Sequence, residues 1–493
     1  MKNSTLVLLG CSISLLLNQF CSSPKEKNTA TIEKDALMAS PLVKRVQQLF
    51  ETGGGDSTLQ DFIQVNLEPI DPGFKIPALQ SPVFATYGNQ WVFFGGRKSG
   101  LHNMNNDPPA FPNLLANDSI WVVDLIQKTA VGVPLPKAYF TYLSGSSMLH
   151  FQDGETLYAS GGYTSLDNSK VSNWTSDSFF EINIPNLILY VTSGGTSPSL
   201  EQVFTKVISD PFLQVTGGEM MVVNGNFYLI GGQNYKGAYL PGNNGAYTSA
   251  IRKFSLKSEG NGWMLTDTLS IIDSVKLHRR DYTLARVITA DTDSMGAVIY
   301  GGVFNRQGLG YRAPVYLNGL GSGNPTVTMD QETLQKVNLY SAAQIDAVLA
   351  FGQYRVSRVS ILGGITYMSY DSNSGGLIVP EIPLPFSNLI SSYYTNGQGE
   401  TIEMVQTPPN PMMPGFLGTN ALFFPLENLR YGDSDTIIDL NKVFPDGTQG
   451  PVLVGYMYGG ISSPVANPMS GMQNYNTKVN NTLFGVYMTL GLE

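Results

Sequence analysis

The stretch VIYGGVF at residues 298–304 ends an apolar run on a glycine pair, and a polar loop follows. YLIGGQN at 228–234 and SILGGIT at 360–366 have the same form. Three further copies stand at 91–97 (WVFFGGR), 157–163 (LYASGGY) and 456–462 (YMYGGIS). The pairs are Gly95–Gly96, Gly161–Gly162, Gly231–Gly232, Gly301–Gly302, Gly363–Gly364 and Gly459–Gly460, separated by 66, 70, 70, 62 and 96 residues. Chance placement of glycine would not space its pairs so evenly, even in a chain holding 52 glycines among 493 residues. The recurrence marks a repeating unit.

The surroundings repeat as well. Before each pair lies another apolar run: SPVFATYG, SSMLHF, GGEMMVV, LARVITA, DAVLAFG and TNALFF. After most pairs, beyond the loop, comes a third: DSIWVVDL, SDSFFEINI, SAIRKFSL, APVYLNG and NTLFGVYMTL. Fourth runs follow in TAVGVPLP, LILYVTS (187–193) and GWMLTDTL. Short β-branched and aromatic runs separated by turn residues predict strands. Four strands per unit, repeated at six glycine pairs, predict an all-β fold, a six-bladed β-propeller of four-stranded antiparallel blades. The chain ends on a third strand, so the sixth blade needs a partner, because an unpaired edge invites aggregation. DFIQVNLEPI at 61–70 has no other role and is expected to close the ring.

With these glycine pairs, and with NDSIWVVDL at 117–125 in the place of a third strand, the chain resembles the kelch family over residues 60–493. In that family the glycine pair ends the second strand, where absent side chains let blades approach. The units exceed the family's usual length of about 50 residues, and its strand-four tryptophan survives clearly only as Trp263. The resemblance implies a binding platform in most cases and an enzyme in some.

Ahead of the repeats, SPLVKRVQQLFETGG at 40–54 predicts a short N-terminal helix, with Ser40 as N-cap, Pro41 at the first position and Gly53 as the stop. Leu42, Val43, Val46, Leu49 and Phe50 make one apolar stripe, expected to dock on the propeller. Residues 22–35 are polar and expected to be a flexible tether, so that 22–57 holds the tether and this short helix, with the propeller from 58 to 493. The first 21 residues combine Lys2, an apolar run over Thr5–Leu17 and a short polar run, the pattern of an export signal. Cys21, followed by Ser-Ser-Pro-Lys, resembles the lipidated cysteine of a bacterial lipoprotein, although Asn18, Gln19 and Phe20 fit the usual box poorly. Cys11, after Leu-Leu-Gly, is the alternative anchor, and an ordinary signal peptide is the plainer reading. The expected address is the bacterial outer membrane, on its periplasmic or cell-surface side, reached through a lipid anchor.

Composition excludes several functions. Cys11 and Cys21 are the only cysteines, so the repeats hold no thiol nucleophile, disulfide or cysteine-ligated metal. The same absence removes the Tyr–Cys crosslink that radical copper oxidases of similar fold require. A net charge of -9 speaks against nucleic acid, which needs clustered cations. Three histidines, His102, His150 and His278, are too scattered to predict a metal site. DSDTIID at 433–439 and DTDS at 291–294 lack the spacing of a calcium loop and read as turns. The methionines of PNPMMPG (409–415) and NPMSGMQNYN (467–476) read as loop packing rather than a copper(I) site. No cofactor motif is present, so none is expected.

Alternation of strand direction puts the loops after the glycine pairs on the same face as the segments entering each inner strand. Polar and aromatic residues gather there: His102, Tyr235, Lys236, Tyr239, Tyr247, Arg306, Tyr311 and Arg312. The lead-in KLHRRDYTLAR contributes His278, Arg279, Arg280, Asp281, Tyr282 and Arg286. Either arginine suits a carboxylate or phosphate, with Asp281 orienting it and His278 as an acid or base. The competing reading is an Arg–Asp network that only joins blades. Tyrosines around the cluster suit a sugar or a peptide. The insertion at 425–450 falls on the opposite face, as a second contact surface or a lid over the channel. Two functions follow as expectations: a tethered binding or scaffold module for a protein or glycan, or an epimerase or lyase working around His278–Tyr282.

Overall fold

The computed structural model describes residues 40–52, 61–102, 110–165, 173–239, 245–260, 262–289, 294–337, 339–352, 354–382, 384–445, 448, 450–468 and 476–491. Cys11, Cys21, Gly53 and most of the DTDS turn lie outside these residues. Six antiparallel four-stranded blades form a propeller. From the axis outward, blade 1 is Val83–Tyr87, Gln90–Phe94, Ser119–Asp124 and Thr129–Pro134, and blade 2 is Leu149–Asp153, Thr156–Ser160, Ser178–Asn183 and Phe204–Ser209. Blade 3 is Glu219–Val223, Asn226–Ile230, Ala250–Glu259 and Gly262–Ile272, and blade 4 is Thr283–Thr289, Ser294–Tyr300, Val315–Asn318 and Thr326–Met329. Blade 5 is Ala343–Phe351, Tyr354–Leu362, Ile390–Thr395 and Thr401–Gln406. Blade 6 takes Phe416–Pro425, Val452–Ser463 and Leu483–Leu490 from the end of the chain, and its outer strand is Ile63–Ile70.

That outer strand pairs in register from Ile63 with Leu490 to Ile70 with Leu483, so both ends of the chain share one blade. A buried polar knot ties it to blade 5. Arg358 donates to Asp61 Oδ2 at 2.8 Å and to the Ile63 carbonyl at 2.7 Å, and Tyr394 donates to Asp61 Oδ1 at 2.6 Å. Gln406 adds a reciprocal pair of bonds to the Val65 backbone, at 2.8 and 3.0 Å.

Six apolar clusters among the described residues each fill the space between two neighbouring blades. The glycine pairs explain how blades come close enough. A Cβ on the first glycine would lie 2.7 Å from the Gly145 carbonyl at Gly95, 2.0 Å from that of Val215 at Gly161 and 2.2 Å from that of Leu417 at Gly363. Each of those carbonyls belongs to the next blade's inner strand or to the segment entering it. The second glycine donates its N–H to the same carbonyl, from Gly96 to Gly145, Gly162 to Val215 and Gly364 to Leu417. The pair is therefore where one blade hydrogen-bonds to the next.

Helix α1, Pro41–Glu51, buries Leu42, Val43, Val46 and Leu49 in the cluster between blades 5 and 6. Ser40 stands at the N-cap without a side-chain bond. One predicted strand is helical instead. LILYVTS lies in helix α2, Ile184–Thr192, where Asn183 accepts from Asn186 N and a proline sits in the first turn. Leu187, Ile188 and Val191 are buried at helical spacing, and the outer strand of blade 2 forms later, at Phe204–Ser209. A local cap and turn outweighed β propensity here. Among the described residues no helix is long and apolar enough to cross a membrane.

Candidate functional site

The segments entering the inner strands form a ring around the axis. Ser81, Ser147, Gly217, Asp281, Ser341 and Asn420 each take positive φ, between 48° and 64°. Backbone N–H groups link them in sequence: Ser147 to Ser81, Gly217 to Ser147, Asp281 to Gly217, Ser341 to Asp281 and Asn420 to Ser341. The left-handed conformation disfavours most L-residues, so small and Asx side chains hold these places. At Gly217 a Cβ would lie 2.9 Å from Asp281 Oδ1, so the missing side chain leaves room for the carboxylate.

Above this ring, on the glycine-pair face, opens a cavity of about 280 Å³. Ser147, Asp281, Ser341 and Asn420 form its floor. Five rings pack along one wall, some edge-on and some tilted: His102 lies 4.9 Å from Phe111 and 4.6 Å from Tyr239, with Tyr163 and Tyr235 beside them. Phe304, Tyr340, Ile365, Leu384 and Phe386 complete the enclosure.

Arg280 crosses from wall to floor. Its Nε donates to Tyr247 Oη at 3.2 Å, Nη1 to Asp281 Oδ2 at 2.8 Å and Nη2 to Tyr239 Oη at 3.0 Å. Burial works against its charge, but Asp281 and the two tyrosines outweigh that and hold Arg280 above the ordinary arginine range. Burial also pushes the Asp281 carboxyl up, and Arg280 pulls it back.

The other expected residues are placed elsewhere. Tyr247 stands behind Arg280, and its hydroxyl also accepts from Phe304 N at 3.0 Å. His278 stacks on Tyr247 at 4.0 Å and meets Ser249 Oγ at 3.2 Å, outside the cavity lining. Burial, then Arg306, lowers its pKa. Arg279 is fully buried between strands, donating to the Gly301 carbonyl at 3.1 Å and lying over Tyr311 at 4.3 Å. Tyr282 braces blade 4 to blade 3 by donating to the Ile230 carbonyl at 2.6 Å. Arg312 donates to the Gln335 carbonyl at 2.7 Å and lies over Tyr367. Of the residues expected on this face the cavity thus gathers His102, Tyr235, Tyr239, Arg280 and Asp281. Sequence reasoning missed the ring. A signal existed: Ser81, Ser147 and Gly217 each stand 14 residues before their glycine pair.

Below the ring the axis holds spaces of about 150 and 210 Å³, with Glu219 lining both. The insertion from blade 6 closes the far end. Arg430 donates to Thr86 at 3.0 Å, Gly154 N to Asp435 at 2.9 Å and Arg286 to Thr436 at 2.7 Å, while Ile438 and Asp439 pair in parallel with Ala347 and Val348. Of the two expectations for this segment, its contacts with blades 1, 2, 4 and 5 make it a lid. Burial drives the charges inside toward neutrality: Glu219 is pushed up to about 7, against Arg286, and Asp346 up to about 6, while His150 is lowered to about 4. A carboxyl whose folded pKa exceeds its unfolded value binds more protons when folded, so stability falls as pH rises. For Glu219 that window runs from about 4.5 to about 7. Glu219→Gln is expected to stabilise the protein by about 1–3 kcal/mol at pH 8 and to change little at pH 4, read as urea midpoints at both values.

No known family's sequence pattern matches the chain, and no curated protein matches it. A solved structure described as "Structure of YjhT" is similar, with a TM-score of 0.43 and 11% identity, over 84% of this chain and 99% of that one. At that similarity, the six-bladed architecture rests on this chain's own strand pairing.

Proposed function

We propose that this is an exported, membrane-tethered propeller of kelch type, a binding module that holds a glycan in the axial cavity of its glycine-pair face. The single observation that carries the reading is the cavity itself: about 280 Å³, aromatic on its walls and polar on its floor. That size is near the lower end of small-molecule sites, which run from about 300 Å³. Sugar rings have an apolar face for stacking and an edge of hydroxyls for hydrogen bonds, matching wall and floor in turn. A peptide side chain is the competing occupant. The enzyme reading gains no support from the arrangement, since His278 lies outside the lining and Asp281 is committed to Arg280.

A glycan array probed with the purified full-length chain tests this. Selected glycans are expected to bind the wild type, and Arg280→Ala or Tyr239→Ala to weaken them by about tenfold or more. If those variants lower the melting temperature and leave affinity unchanged, the cluster is structural only.

Tethering rests on the N-terminal signal, with Cys21 as the proposed lipidated residue. Cys21→Ser is expected to move the protein from the membrane pellet to the soluble exported fraction. Retention in the pellet, with loss only on Cys11→Ser, would move the anchor to Cys11.

A further inference from the structure

The upper cavity cancels its own charge. Two formally charged side chains line it among the described residues, Arg280 and Asp281, and they form one ion pair at 2.8 Å. All three guanidinium nitrogens of Arg280 already donate, to Tyr247, Asp281 and Tyr239. A ligand carboxylate or phosphate seeks two parallel N–H groups of one guanidinium. Nη1 and Nη2 keep one N–H each, but a ligand anion drawn to them would meet a charge that Asp281 already neutralises and would lie beside that buried carboxylate, a costly like-charge contact. The rest of the floor is neutral and polar. Ser341 Oγ donates to the Asp281 carbonyl at 3.2 Å, and Asn420 Nδ2 donates to Gln80 at 3.1 Å, which leaves the Asn420 oxygen and the Ser147 hydroxyl on the cavity lining without a partner among the described residues.

Building on the reading of this cavity as a glycan site, we infer that its ligand is an uncharged sugar ring. Arg280 already lies over Tyr239 and Phe304, at 6.0 and 5.2 Å, so the sugar ring packs against the aromatic wall beside it, and its hydroxyls reach Ser147, Ser341, Asn420 and the Arg280–Asp281 pair. Asp281 is then a specificity determinant: it spends the charge of Arg280 internally and keeps acidic sugars out. Asparagine in its place would keep the left-handed backbone, because Asn420 holds the equivalent position at φ 55°, the same value as Asp281.

The test titrates the full-length chain with matched pairs that differ by one carboxylate: methyl glucoside against methyl glucuronide, and methyl galactoside against methyl galacturonide, alongside the neutral and acidic hits of the array. The wild type is expected to bind neutral members at least tenfold more tightly, with little dependence on salt. Asp281→Asn is expected to narrow or reverse that preference, by freeing Arg280 for the carboxylate. Equal or tighter binding of acidic members by the wild type overturns the inference and leaves the glycan site standing. Binding of no sugar at all removes both. If Asp281→Asn fails to fold, the wild-type ranking and its salt dependence decide alone.

Discussion

Replacing Arg358 with methionine is expected to cost the propeller about 3–5 kcal/mol, the range for breaking a buried ion pair from one side. Arg358 and Asp61 are both fully enclosed, with side-chain exposures of 0%. The guanidinium also donates to Tyr394, Ser392 and Ser360, and its removal leaves the Asp61 carboxylate with the Tyr394 hydroxyl and the Ile63 N–H, both on Oδ1, and no countercharge. Asp61 stands two residues before the strand that closes blade 6, so the loss falls on the joint between that strand and blade 5. Urea unfolding should show a lower midpoint with faster exchange of the Ile63–Ile70 amides. Adding Asp61→Leu should recover part of the loss, because the orphaned charge is then gone. A single variant within 1 kcal/mol of wild type would mean that the strand is held by its ladder alone.

Gly161→Ala is the second large effect. Its φ of 66° already strains an L-residue, and the new methyl would stand 2.0 Å from the Val215 carbonyl. That carbonyl accepts the Gly162 N–H at 2.9 Å, so it cannot retreat without opening the joint between blades 2 and 3. Strain of about 1–3 kcal/mol and overpacking of about 1–3 kcal/mol act together. Gly88→Ala supplies the control, with φ 55° and open space around its Cβ position, and should cost only the strain. Equal losses in the two variants would show that the glycine pair serves conformation and not the approach of blades.

The fold was legible because the glycine pair has a physical cause that repeats at every blade joint, and because Asp61–Ile70 had no other place to go. Helix α2 was not, since LILYVTS carries the residues of a strand and only Asn183 and Pro185 say otherwise. The working face followed from strand alternation, and Arg280 with Asp281 followed from their rarity in a chain with 14% charged residues. Their neighbours did not follow. Arg279 and Arg280 are adjacent in sequence, yet one is buried between strands and the other faces the cavity, because side chains alternate along the extended segment in which Arg280 bridges to Val303. Glu219 and Asp346 read as ordinary strand residues. Their meeting with Arg286 around the lower axis depends on three different blades, which no local pattern reports.

A crystal structure of the full-length protein soaked with the tightest neutral saccharide from the array tests the central claim most directly. One sugar ring is expected against the aromatic wall beside Arg280, above the floor of Ser147, Asp281, Ser341 and Asn420. A saccharide seated on the outer strands or beneath the 425–450 lid, with the axial cavity empty, would contradict it.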